Sequence, residues 1–319
     1  MFKIITTIHF SKIFTLVLII VLNNYPTKAE QTTEITDTPF KVSFKLERKR
    51  VIIPTSVNGS QKLNLILDTG MRFDGVYLFH EEFVDDIDTT GAIEVRVPGA
   101  GAGEASTALM IENGRIAFGD ISIDSQRVII SKSSHTQSFP TDGVIGWNLF
   151  GHYAVEINYD KEIITLHDSK KLDVDNFWSI VPITMRKDIP FLDCIVEVVE
   201  GESVKMSLYI DLASDEALEL LTGKEQRFSL PDVTEEMYLG TGLSGDIYGM
   251  RGHSKMLRIS SFELFNVTTA FAPSEIRSKQ EAADGVIGND FIRRFNVIFD
   301  YENGFLFLKP NSYFKTPFE

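Results

Sequence analysis

The sequence predicts an all-β protein of two homologous, barrel-like lobes, each of six to eight strands, related by pseudo-twofold symmetry and carrying few short helices. Three observations predict it. Apolar residues alternate at period 2, beginning with Phe40-Lys41-Val42-Ser43-Phe44-Lys45-Leu46, as in a strand with one solvated face. No stretch carries the 3.6-residue apolar period of a long amphipathic helix. A set of landmarks also recurs, in the same order, in the second half of the chain.

Taken in order, residues 1–29 read as a secretory signal peptide rather than as fold. Lys3 and Lys12 bracket a weakly charged start, residues 13–22 are apolar apart from Thr15, and Thr27-Lys28-Ala29 places small residues before a cleavage site near Ala29. The apolar run is too short to span a bilayer comfortably; an uncleaved N-terminal anchor is the rival reading. Residues 30–38 are polar and aperiodic, a short tether. The first lobe is expected over 39–170 and the second over 171–319.

Within the first lobe, strands 51–57 and 63–67 flank Asn58-Gly59, a dipeptide suited to a type I′ turn. Further strands are expected at 93–97, 106–111, 114–118, 121–123 and 127–130, and a hairpin joins 155–159 to 163–167 around Asp160-Lys161. Helical signal is confined to one or two turns at 148–153 and 290–295, and to 214–222 behind a Ser214 or Asp215 cap.

The repeat is read directly. Asp142-Gly143-Val144-Ile145-Gly146 returns as Asp284-Gly285-Val286-Ile287-Gly288, and each copy leads into a hairpin, Val155-Glu156-Ile157-Asn158-Tyr159 matching Val297-Ile298-Phe299-Asp300-Tyr301. Upstream, Leu65-Ile66-Leu67-Asp68-Thr69-Gly70 corresponds to Leu208-Tyr209-Ile210-Asp211-Leu212-Ala213. Asp142 follows Asp68 by 74 positions and Asp284 follows Asp211 by 73. Glycine-rich stretches, Gly99-Ala100-Gly101-Ala102-Gly103 and Gly240-Thr241-Gly242-Leu243-Ser244-Gly245, fall at matching places. Such agreement is the mark of tandem duplication, and a twofold relation would bring Asp68 and Asp211 together. A carboxylate delivered by an apolar strand is costly to bury unless something compensates it.

On these residues the chain resembles the pepsin-like and retropepsin-like aspartic proteases, in particular their two-lobed bacterial relatives. The matching features are Asp68-Thr69-Gly70 with Val144-Ile145-Gly146, and Asp211 with Val286-Ile287-Gly288; the resemblance spans about residues 40–310. It implies an aspartic endopeptidase acting on peptide or protein substrates, with Asp68 and Asp211 as the catalytic dyad and no cofactor or metal. Two carboxylates so close cannot both ionise, so one acts as base on a water while its protonated partner bonds the scissile carbonyl. By the same resemblance Thr69 and Gly70 support the first aspartate, Gly99, Ala100, Gly101, Ala102 and Gly103 form a flap over substrate, and the molecule is a two-lobed monomer.

The chain departs from the family at Leu212, Ala213 and Ser214, where a hydroxyl residue and then glycine are usual. Leu212 cannot supply a cross-lobe hydroxyl, Ala213 adds a Cβ, and Ser214 is placed to restore some hydrogen bonding. A catalytically impaired, peptide-binding relative is therefore the alternative reading, and an Asp211 that merely starts a turn is a further one. The flap tyrosine of the family has no equivalent between Val95 and Ser106.

Composition excludes other classes. Formal net charge is −14, and loss of Lys3, Lys12 and Lys28 with the signal would leave the mature chain more acidic still, which disfavours nucleic acid and anionic membranes. The single cysteine, Cys194, lies in an apolar run and reads as a buried small hydrophobe. A disulfide-free exported protein suits a periplasmic or secreted setting, stabilised by core burial. The histidines lack zinc-ligand spacing, and the glycine-rich stretch at 99–103 lacks the Lys-Ser/Thr ending of a phosphate loop. Asp85-Asp86-Ile87-Asp88 lacks the glycine and distal Glu of a calcium loop and reads as a solvated face. A carboxylate-pair glycosidase would need a sugar groove rich in aromatic residues, and the chain has 2 Trp.

Overall fold

The computed structural model describes residues 39–97, 106–223, 226–277 and 283–318. In the first half the strands are β1 (Phe40–Ser43), β2 (Lys45–Glu47), β3 (Arg50–Val57), β4 (Leu63–Leu67), β5 (Gly75–Leu78), β6 (Ile93–Val97), β7 (Ser106–Phe118), β8 (Ile121–Ser131), β9 (Gly143–Ile145), β10 (Ala154–Asn158) and β11 (Ile163–His167). The second half contributes β12 (Ser179–Pro182), β13 (Thr184–Arg186), β14 (Ile189–Glu197), β15 (Ser203–Asp211), β16 (Leu218–Thr222), β17 (Glu235–Gly242), β18 (Gly245–Ile259), β19 (Phe262–Pro273), β20 (Gly285–Gly288), β21 (Phe295–Asp300) and β22 (Phe305–Pro310). Helices are single turns: α1 (Phe83–Asp86), α2 (Trp147–Phe150) and α3 (Asn289–Ile292).

Each half closes on itself. The order β3-β4-β9-β5-β8-β7 is joined end to end by pairing of β3 with β7, and β14-β15-β20-β16-β19-β18 by pairing of β14 with β18. The result is two closed six-strand barrels with β2, β6, β13 and β17 as extra strands. Closure leaves no open edge in the barrel wall. A third sheet, β1-β11-β10-β21-β22-β12, draws strands from both halves.

That third sheet carries the twofold relation. β10 and β21 pair antiparallel with Val155 opposite Phe299, Glu156 opposite Ile298 and Ile157 opposite Val297. Because Val155, Glu156 and Ile157 are the repeat equivalents of Val297, Ile298 and Phe299, this register maps onto itself when the halves are exchanged, and the axis passes between Glu156 and Ile298.

The duplicated Asp-Gly motif has a structural role in both lobes. Asp142 Oδ2 accepts the Asn64 amide at 2.6 Å and Asp284 Oδ2 accepts the Ser207 amide at 2.8 Å. Each aspartate thereby registers a parallel pair, β4 with β9 or β15 with β20.

Two sequence readings are revised. Residues 106–111 and 114–118 are one strand, β7, bent by register shifts around Gly114, and 121–123 and 127–130 are likewise one, β8. The helix expected over 214–222 is absent: 218–222 is β16, lying parallel to β19 and antiparallel to β20. Leu218 and Leu220 are buried there, and the need to fill the gap in the barrel wall outweighs local helix preference. Other expectations hold. Asn58 and Gly59 both have positive φ, Cys194 is buried and burial pushes its thiol pKa up, and Asp85, Asp86 and Asp88 are exposed. Signal, tether and the stretch Gly99 to Gly103 lie outside the described residues.

Candidate active site

β4 ends by delivering Asp68 and β15 ends on Asp211, each beside the parallel strand that carries the second motif. Backbone must pass very close behind Asp68. A Cβ at Gly146 would lie 2.0 Å from the Asp68 carbonyl oxygen, and one at Gly288 would lie 2.2 Å from the Glu216 carbonyl oxygen. This is the physical requirement behind the apolar-apolar-glycine motif in each lobe.

The carboxylates are held by the turns they begin. Asp68 Oδ1 accepts the Gly70 amide at 2.6 Å. Asp211 Oδ1 accepts two amides, from Ala213 at 2.9 Å and Ser214 at 3.2 Å. Ala213 therefore fills the role of Gly70 despite its methyl group, which turns into an apolar cluster with Met71 and Val144. Ser214 assists through its backbone amide; its hydroxyl accepts the Glu216 amide instead. Leu212 is buried in the main core with Leu67, Ile145 and Ile287, a different cluster from the one that takes the Ala213 methyl.

Thr69 joins the lobes. Its hydroxyl donates to the Ile210 carbonyl at 2.7 Å and accepts the Leu212 amide at 3.1 Å. The reciprocal hydroxyl is missing because Leu212 has none, as the sequence indicates.

Both aspartates are buried, at 0% and 1% exposure. Burial raises the Asp68 pKa well above its ordinary value, the charge of Asp211 raises it further, and the Gly70 amide opposes both. Asp68 Oδ2 has no hydrogen-bond partner among the described residues. One amide faces Asp68 and two face Asp211, and amide donors favour the ionised form. Burial and the neighbouring Asp211 charge thus favour the protonated form of Asp68.

Sequence reasoning missed a second ring of charge around the Asp211 turn. Arg50, from the first lobe and 2% exposed, pairs with Asp215 at 3.1 Å, and Lys49 pairs with Asp290 at 3.0 Å. Asn289 Nδ2 also donates to the Lys49 carbonyl at 2.6 Å. Arg251 of β18 pairs with the buried Glu216. Burial lifts Asp215 despite Arg50, and lifts Glu216 to about 7 despite Arg251. The basic run Arg48-Lys49-Arg50 was the available signal, but nothing local tells where such a turn docks. Tyr238 and Tyr248, opposite each other on β17 and β18, stack edge to face at 5.6 Å and act as packing. Among the described residues no group of three or more His, Cys, Asp or Glu is placed to hold a metal ion.

Two closed six-strand barrels, each ending a strand on a buried aspartate at a twofold-related turn, define the fold of the two-lobed aspartic proteinases. The aspartic proteinase from Irpex lacteus is similar over 88% of this chain and 99% of its own, with a TM-score of 0.56 and 13% sequence identity. No family model matches the chain, and no curated protein matches it by sequence.

Proposed function

We propose that the protein is an exported aspartic endopeptidase that hydrolyses peptide bonds with Asp68 and Asp211. The observation that carries the proposal is the unequal hydrogen bonding of two buried, twofold-related carboxylates, two backbone amides to Asp211 and one to Asp68. It yields one acid and one base at the same place, which is what water activation needs.

In this mechanism Asp211 accepts a proton from a water while the Asp68 carboxyl donates its proton toward the scissile carbonyl oxygen. A tetrahedral diol results, its oxygens sharing the dyad. Collapse breaks the C–N bond, the departing nitrogen takes the proton held by Asp211, and Asp68 recovers its own. The Leu212 departure leaves this chemistry in place, because Thr69 bonds the Asp211 turn from the first lobe and Ala213 still donates to Asp211. Residues 1–29 would direct the chain to a periplasmic or secreted location and be removed.

The test is cleavage of an unfolded protein or a peptide library by the mature chain, with inhibition by a statine-type peptide. Asp68→Ala and Asp211→Ala should each lose hydrolysis. Equal degradation by wild type and both variants from acid to neutral pH would overturn the proposal. Tight statine binding without cleavage would assign the fold to peptide binding instead.

A further inference from the structure

The tip of the β17–β18 hairpin belongs to the second lobe but is seated in the first. Leu243 is fully buried, in an apolar cluster whose other members, apart from Ala213, all come from the first lobe. Two of them, Met71 and Val144, lie beside Asp68, on its own turn and on the strand next to it. Ser106 Oγ donates to the Leu243 carbonyl at 2.9 Å. Gly245 faces His135, whose ring carbon would lie 3.9 Å from a Cβ built there. Ser244 is also buried, and its hydroxyl has no partner among the described residues. The tip thus spans from lobe to lobe and packs against residues that neighbour Asp68 and Asp211, both of which are buried.

The turn is Leu243-Ser244 between Gly242 and Gly245, and among the described residues it is fixed to the first lobe by one hydrogen bond and the Leu243 side chain. The ladder slips at a bulge between Tyr238 and Gly240, and Gly240 has φ +148°, a natural point of bending. Beyond it the hairpin is packed hard on its own lobe: a Cβ at Gly249 would lie 2.4 Å from the Phe271 carbonyl oxygen. The bulge and Gly240 thus separate the tip from the part of the hairpin packed on its own lobe.

We propose that this tip is an autoinhibitory latch: Leu243, seated in the first-lobe cluster, closes the cleft, and an extended peptide enters only when residues 240–247 lift away. This rests on the endopeptidase reading for what the closure regulates. The latch itself is a statement about access, and it is measured separately.

Ser244→Cys supplies a reporter thiol at the tip, with Cys194, the one native cysteine and buried, as the internal reference. Under native conditions the reporter should react with a thiol reagent at least tenfold faster when Leu243→Ala is added. Ser106→Ala, which removes only the cross-lobe hydrogen bond, should give about a threefold rise and covers the case in which Leu243→Ala does not fold. Peptide hydrolysis by Leu243→Ala should show a kcat/KM raised at least threefold, through KM. A reporter that reacts at the rate of a free thiol in the parent chain overturns the latch, as do equal rates across the variants. If peptides are cleaved but neither reactivity nor kcat/KM responds, the latch falls and the endopeptidase reading stands. Should reactivity respond while no variant cleaves any peptide, the latch stands and the endopeptidase reading falls.

Discussion

The hydroxyl oxygen of Thr69 lies 2.7 Å from the carbonyl oxygen of Ile210 and 3.1 Å from the amide nitrogen of Leu212, so one first-lobe side chain satisfies two backbone groups of the second. Both groups flank Asp211. Leu212 has no hydroxyl to reciprocate, so among the described residues the hydroxyl bonding between the two motif turns runs through Thr69.

Thr69→Val keeps the shape and removes both bonds. A buried donor and acceptor left unpaired cost about 1–3 kcal/mol each, so urea unfolding should show a loss of about 2–6 kcal/mol with an unchanged m-value. Thr69→Ser should recover most of it. A valine variant as stable as wild type would show that the lobes are held elsewhere.

Gly146→Ala should damage the site from behind. The added methyl would sit 2.0 Å from the Asp68 carbonyl oxygen, a contact with backbone that no rotamer relieves. Overpacking of this kind costs about 1–3 kcal/mol, and here the displacement falls on Asp68. The expected result is a lower thermal midpoint together with loss of peptide hydrolysis; an active, fully stable variant would refute the close approach.

Arg50 and Asp215 should behave as a pair. Removing one partner of a buried ion pair typically costs about 3–5 kcal/mol, because the remaining charge has no counterpart. Arg50→Met is expected in that range, and the double variant Arg50→Met with Asp215→Asn should regain much of the loss. A double-mutant cycle reads the coupling, and strictly additive effects would deny it.

Stability should fall as pH rises from about 4.5 to 7. Glu216 ionises near 4.5 when unfolded, but burial, opposed by Arg251, lifts it to about 7 in the fold. Below 4.5 both states keep the proton and the contribution is intact. Between the two values only the unfolded chain releases it, which costs up to about 3 kcal/mol. Asp68 acts in the same direction from its ordinary 3.8 upward. Thermal midpoints across this window should decline in wild type and flatten in Glu216→Gln; an unchanged slope would assign the pH dependence to other groups.

Peptide hydrolysis should likewise extend above the usual carboxylate range, because the raised Asp68 pKa keeps the acid protonated there. The alkaline limb of kcat/KM reports the coupled pair rather than either residue. Loss of activity by pH 4 would count against Asp68 as the proton holder.

Much of the site was legible because its signals are local or repeated. Asp68 and Asp211 stand at the ends of apolar runs and at matching places in a duplication, so their equivalence needs no coordinates. Leu212 as a missing hydroxyl is equally plain. By contrast, the segment 214–222 was misread as helical because its Leu and Ala spacing fits a helix locally, while its actual partners, β19 and β20, lie about 50 and 70 residues away. Arg50 with Asp215, and Leu243 with the Met71 cluster, have no local signature: each depends on how one lobe sits against the other.

The sequence by itself determined an all-β chain, its duplication, and the two aspartates that the duplication makes equivalent. These follow from covalent order and periodicity, which any reading of the chain exposes. Tertiary structure alone decided that the two equivalent carboxylates are not alike. Asp211 accepts two amides of its own turn where Asp68 accepts one, because the two turns differ in conformation, and the burial of both carboxylates depends on how distant strands pack around them.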